Sequence, residues 1–180
     1  WLIAALLIAY VLFSATHLGG AYWDADEGLN VMKGRLFGLG YPLYGRIWSD
    51  QPPGYTVLLA LAFTVAGPSM AAARAVTLLL AFVALAAAAL VARGLGGGRW
   101  AMLAAAASLA LAPNFFWASR AAMIGLPALA LAALAMGLTL RFVNDGRRGG
   151  VAMAGLALGV SCWLKLIGIY LLAPIALAIW

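Results

Sequence analysis

Cysteine and histidine each occur once in the 180 residues, at Cys162 and His17, and acidic residues only five times. One cysteine excludes an internal disulfide, and with one histidine it excludes a Cys/His metal cluster. His17, near the end of the first apolar run, reads as an interfacial residue rather than a ligand. Charged residues make up 9% of the chain, against about 25% in soluble globular proteins, so a soluble domain is excluded. The net charge of +6 is scattered between apolar runs rather than striped on one face, which argues against a nucleic-acid partner. No repeat of 20 to 50 residues is evident, which argues against a solenoid.

What the chain has in abundance is apolar sequence, 67% of it, in runs near the ~20 residues that cross a ~30 Å hydrocarbon core. The reading is an all-α polytopic membrane protein. Membrane helices are expected at about 1–20, 69–92, 100–118, 121–141, 150–164 and 166–180, with a polar loop at 21–52 and a short juxtamembrane helix at 53–66. The first run lacks the basic leader and small-residue cleavage site of a signal peptide. The chain starts at Trp1 and stops inside an apolar run, and reads as the N-terminal part of a longer protein.

Two basic connectors, Arg93 to Arg99 and Arg141 to Arg148, are separated by an even number of crossings and share a side. The positive-inside rule makes that side cytoplasmic. Helix 53–66 is short and follows Pro52 and Pro53, so it is expected to lie at the surface or re-enter. Loop 21–52 then falls on the outer face.

That loop holds four of the five carboxylates, Asp24, Asp26, Glu27 and Asp50. Asp24 followed by Glu27 reads as a capping box. Leu29, Met32 and Leu36 recur at helical spacing, as in a helix lying in the interface. Glu27 is then either a capping partner or functional, Asp50 either caps helix 53–66 or is functional, and Asp26 is left without a structural duty. Arg74, Arg120 and Lys165 fall toward the same face, where they either snorkel to the headgroups or contact substrate. Ionisable groups in membrane segments cost roughly 2.5–3.5 kcal/mol at a helix centre and are functional candidates by default. Lys33, Arg35 and Arg46 read as solvated or bound to lipid headgroups.

The order W-D-A-D-E-G, Y-P-L-Y-G-R-I-W-S-D-Q-P-P-G-Y, A-A-R-A-V and G-L-A-L-G-V-S-C-W-L-K-L-I-G resembles the N-terminal half of GT-C glycosyltransferases. More narrowly, it is similar to the family 39/83-like branch of dolichyl-phosphate-mannose protein mannosyltransferases and aminoarabinose transferases. The resemblance implies a GT-C-like helix bundle and a transferase moving a sugar, with inversion, from a polyprenyl-phosphate donor to a lipid, protein or glycan acceptor. It implies a multi-pass protein of the bacterial inner membrane, with Asp26, Glu27 and Asp50 as the catalytic carboxylates. Arg74 and Lys165 match recurrent basic positions and, with Arg120, are the expected contacts to the lipid phosphate. Gln51 stands where many relatives have lysine, and Gly125 lies where an acid often follows Arg120. The carboxylates could hold Mg²⁺ or Mn²⁺, but the resemblance favours a metal-independent reaction with no cofactor. A secondary transporter or flippase would instead need ionisable sites at mid-membrane in paired repeats. A noncatalytic subunit would use the loop only for docking.

Overall fold

The computed structural model describes residues 1–19, 24–146 and 148–179. Trp23 at the head of the polar stretch, Arg147 in the second basic connector and the terminal Trp180 lie outside the described residues. The protein is an all-α bundle, without a strand among the described residues. Its helices are α1 (Leu2–Ala15), α2 (Ala25–Gly38), α3 (Gly54–Ala66), α4 (Met70–Gly94), α5 (Arg99–Ala110), α6 (Pro113–Ala118), α7 (Gly125–Asp145), α8 (Arg148–Leu164) and α9 (Leu172–Ile179). A 3₁₀ helix over Leu166–Leu171 precedes α9.

Helices α4 and α7 form the centre. At 25 and 21 residues they are ~37 and ~31 Å long, and they alone among the described helices are long and apolar enough to cross a bilayer core unaided. The Ser69 hydroxyl caps α4 by accepting from Ala72 N–H at 3.1 Å, and α7 stops at Gly146 in the left-handed conformation, φ 67°, which glycine adopts without penalty. Fully buried alanines, among them Ala81, Ala128 and Ala135, let neighbouring backbones approach closely, as membrane helices require when apolar burial alone gives no preference over lipid.

The two helices run parallel. Near their starts, Arg74 and Ala122 bond the same carboxylate, and near their ends Asn144 Nδ2 donates to the Gly94 carbonyl at 2.8 Å. This arrangement gathers Arg93 and Arg141 at one end of the bundle, the basic end, and the carboxylates of the polar loop at the other.

Two segments differ from the periodicity. The apolar run 100–118 is two helices, because Pro113 opens α6 and holds Ala112 extended at φ −70°, ψ 122°, the region preferred before proline. The run beyond Lys165 begins as a 3₁₀ helix, with Lys165 itself extended at φ −154°. Helix α3 packs on α2 and α4, starts against the end of α8, and ends four residues before α4 begins, so both its termini lie at the acidic end.

Candidate functional site

The site is built on α2. Asp24 is extended, φ −115°, and its side chain caps α2 by accepting from Asp26 N–H at 2.9 Å. The reciprocal half of the expected capping box is not made. Glu27 turns into the bundle instead, where its carboxylate is 1% exposed. It accepts from Arg74 Nε and Nη2, both at 2.9 Å, and from Ala122 N–H at 2.7 Å. Arg74 Nη1 donates to the Leu18 carbonyl at 2.8 Å. One two-pronged ion pair therefore ties together the exit of α1, the start of α2, the first turns of α4 and the turn before α7. The low dielectric there makes these bonds strong, and the planar guanidinium matches both carboxylate oxygens.

With Glu27 fixed, the other faces of α2 are set by 3.6-residue geometry. Gly34 meets α3 so closely that an added Cβ would lie 2.8 Å from Leu59 Cβ. Met32 faces outward at 55% exposure. Asp26, Asn30 and Lys33, spaced i, i+4 and i+7, form a polar stripe, and Asn30 Nδ2 donates to the Ala122 carbonyl at 2.9 Å.

Lys33 corrects the sequence reading most clearly. It is buried rather than solvated, its side chain 5% exposed, with Nζ 3.7 Å from Asp50 Oδ1 and 5.2 Å from the centre of the Trp48 ring. Asp50 does not cap α3, whose N-cap position is Pro53. Its carboxylate accepts from Gln51 Nε2 at 2.8 Å. That hydrogen bond, aided by Lys33, holds the Asp50 carboxyl below its usual range.

A cavity of about 380 Å³ opens between these groups, within the size range of small-ligand sites. Asp26, Asn30 and Lys33 border it from α2, Trp48, Asp50 and Gln51 from the loop, Trp117 from α6, and Lys165 from the break after α8. Lys165 arrives there because α3 abuts the end of α8: a Cβ on Gly54 would lie 2.5 Å from the Trp163 carbonyl oxygen. Met123 to Leu126 complete the wall. The carboxylate of Asp26 and the ammonium of Lys165 have no hydrogen bond or ion pair among the described residues, so both are available to a ligand.

Asp26, Asp50 and Lys165 thus share one cavity. Glu27 and Arg74 lie outside its lining as the buried pair. Arg120 is also outside the lining, 7% exposed, with its guanidinium 3.7 Å from the Phe116 ring and Nε donating to the Phe116 carbonyl at 3.0 Å. Among the described residues no group of three or more His, Cys, Asp or Glu side chains is placed to hold a metal; Asp26 and Asp50 are the two carboxylates at the cavity. A larger cavity, about 560 Å³, lies at the basic end beside Arg93 and Arg141. Its one carboxylate, Asp145, is bound to Arg141 at 3.3 Å, which leaves that cavity without a free acid for proton transfer.

Lys33 is the residue that sequence reasoning missed. The available signal was the i, i+4, i+7 polar stripe from Asp26, opposed to the apolar spacing that drew attention to Leu29, Met32 and Leu36.

The model of the family described as dolichyl-phosphate-mannose-protein mannosyltransferase matches residues 50–180. No curated protein and no solved structure matches the chain. The matched stretch contains Asp50, Arg74, Arg120 and Lys165, and Asp26, Glu27 and Lys33 precede it.

Proposed function

The chain belongs to the dolichyl-phosphate-mannose-protein mannosyltransferase family, and from that premise we propose that it transfers a sugar from a polyprenyl-phosphate donor to an extracytoplasmic acceptor, the acidic end of the bundle facing outward. The observation that carries this reading is the meeting of an uncommitted carboxylate, Asp26, and an uncommitted cation, Lys165, on one cavity.

The acceptor hydroxyl or amine attacks the anomeric carbon, and Asp26 takes its proton as general base. The bond from that carbon to the phosphate oxygen breaks, its electron pair leaves with the polyprenyl phosphate, and Lys165 stabilises the charge that builds there. A single displacement inverts the anomeric configuration. Asp50 orients sugar or acceptor hydroxyls from the loop that borders the cavity, and Trp48 and Trp117 mark the interface. Glu27 and Arg74 are positioning residues: they fix the rotation of α2 that turns Asp26 toward the cavity. Arg120, stacked on Phe116, supports the turn from α6 into α7. The reaction so drawn is metal-independent. The acceptor is a protein, lipid or glycan.

The basic end, with Arg93 and Arg141, is cytoplasmic under the positive-inside rule, which supports the outward placement of the cavity. The test is transfer of radiolabelled sugar by the full-length protein in nanodiscs, offered either a polyprenyl-phosphate mannose or the corresponding nucleotide sugar. Transfer from the lipid donor alone is expected. Transfer from the nucleotide sugar alone would sink the reading.

A further inference from the structure

We propose that Lys33 is a phosphate-contacting residue of this cavity, and that an entering lipid phosphate replaces Asp50 as its counterion; this rests on the proposed reading of the cavity as the donor seat. Lys33 reaches the cavity from the α2 stripe that also carries Asp26 and Asn30. Its stem is packed away, and an ammonium removed from water is costly unless a charge or hydrogen-bond acceptor compensates it.

The compensation it has is loose. The Asp50 oxygen lies 3.7 Å away, beyond the 2.7–2.9 Å typical of a charge-assisted hydrogen bond. Asp50 itself is 52% exposed and already accepts from Gln51, so water and Gln51 can keep it solvated without Lys33. The other neighbour, the Trp48 ring, is 70% exposed and supplies only the weaker attraction of a π face. A buried cation thus rests on two displaceable partners at the wall of an open cavity.

Lys165 borders the same space, so a phosphate seated in the cavity would have a second lysine on its wall. The donor's phosphodiester carries one negative charge and the departing polyprenyl phosphate gains a second. Two cations therefore compensate the leaving group more fully than the substrate, which is the differential that lowers a barrier.

The bland alternative is that Lys33 only pins the 41–51 loop to α2 through Asp50. The two accounts predict opposite behaviour of the partners. Binding of a short-chain polyprenyl monophosphate to the full-length protein in nanodiscs is measured against the polyprenol of the same length. Lys33→Gln should weaken binding of the phosphate about tenfold or more and leave binding of the alcohol unchanged. Lys33→Arg should keep most of the affinity, which separates loss of charge from misfolding. Asp50→Asn, which removes the competing counterion, should not weaken the phosphate and should tighten it.

Equal losses in Lys33→Gln and Asp50→Asn would assign the pair to loop anchoring and overturn the proposal, as would unchanged phosphate binding in Lys33→Gln. If the unmodified protein binds the phosphate no better than the alcohol, the reading of the cavity and the role of Lys33 fall together.

Discussion

Asp26→Asn is expected to lower sugar transfer by about 10²- to 10⁴-fold, the range contributed by a positioned general base, while leaving the unfolding transition of the full-length protein nearly unmoved. The two halves of this prediction have separate causes. Asp26 is exposed and its carboxylate makes no hydrogen bond or ion pair among the described residues, so its loss removes no packing and strands no partner. Substitutions at such sites usually stay within about ±0.5 kcal/mol. The helix cap is also untouched, because Asp24 bonds the backbone N–H of residue 26 rather than its side chain. Initial rates with a polyprenyl-phosphate sugar, beside a thermal melt of the same preparation, check both halves. A variant as active as the unmodified protein would remove Asp26 from the chemistry.

The second large effect falls on stability. Glu27→Ala leaves the Arg74 guanidinium, 4% exposed, without its carboxylate, and orphans the Ala122 N–H that Glu27 accepts from. Breaking one side of a buried ion pair costs about 3–5 kcal/mol, whereas replacing both partners with apolar side chains of similar volume is often neutral or better. Glu27→Ala should therefore unfold at markedly lower temperature or denaturant, and the double variant Glu27→Met with Arg74→Met should recover much of the loss. The recovered double variant should still transfer sugar poorly, since the buried ion pair that sets the rotation of α2 is gone and the single Asn30 bond to the Ala122 carbonyl is left to orient Asp26. A Glu27→Ala protein as stable as the unmodified one would contradict the clamp.

What sequence reasoning could reach, and what it could not, divides along physical lines. The all-α bundle was legible because apolar runs of membrane length report directly on a hydrocarbon solvent. The gathering of charges at two ends was legible for the same reason, since few charges remain and each marks an edge. Glu27 was harder. A carboxylate three residues after an N-cap satisfies a local rule, and nothing local reveals that Arg74, 47 positions later, reaches back to claim it. Lys33 failed in the opposite direction: a lysine on an interfacial helix ordinarily lies in water, and its burial depends on where the 41–51 loop folds over it. The break at Pro113 was in the sequence but was masked by the hydropathy of its neighbours.

Gly125 gives access to the central claim, that the cavity beneath the polar loop is where sugar transfer occurs. It borders the cavity, and a Cβ added there meets nothing within 4 Å. Gly28, on the same end of the bundle but outside the cavity lining, is equally open and serves as control. In a Cys162→Ala background, the full-length Gly125→Cys and Gly28→Cys proteins are labelled to completion with a bulky, membrane-impermeant maleimide, and transfer from the polyprenyl-phosphate donor is measured. Labelled Gly125→Cys is predicted to fall to background while labelled Gly28→Cys keeps its rate; complete labelling at residue 125 with transfer undiminished would contradict the account.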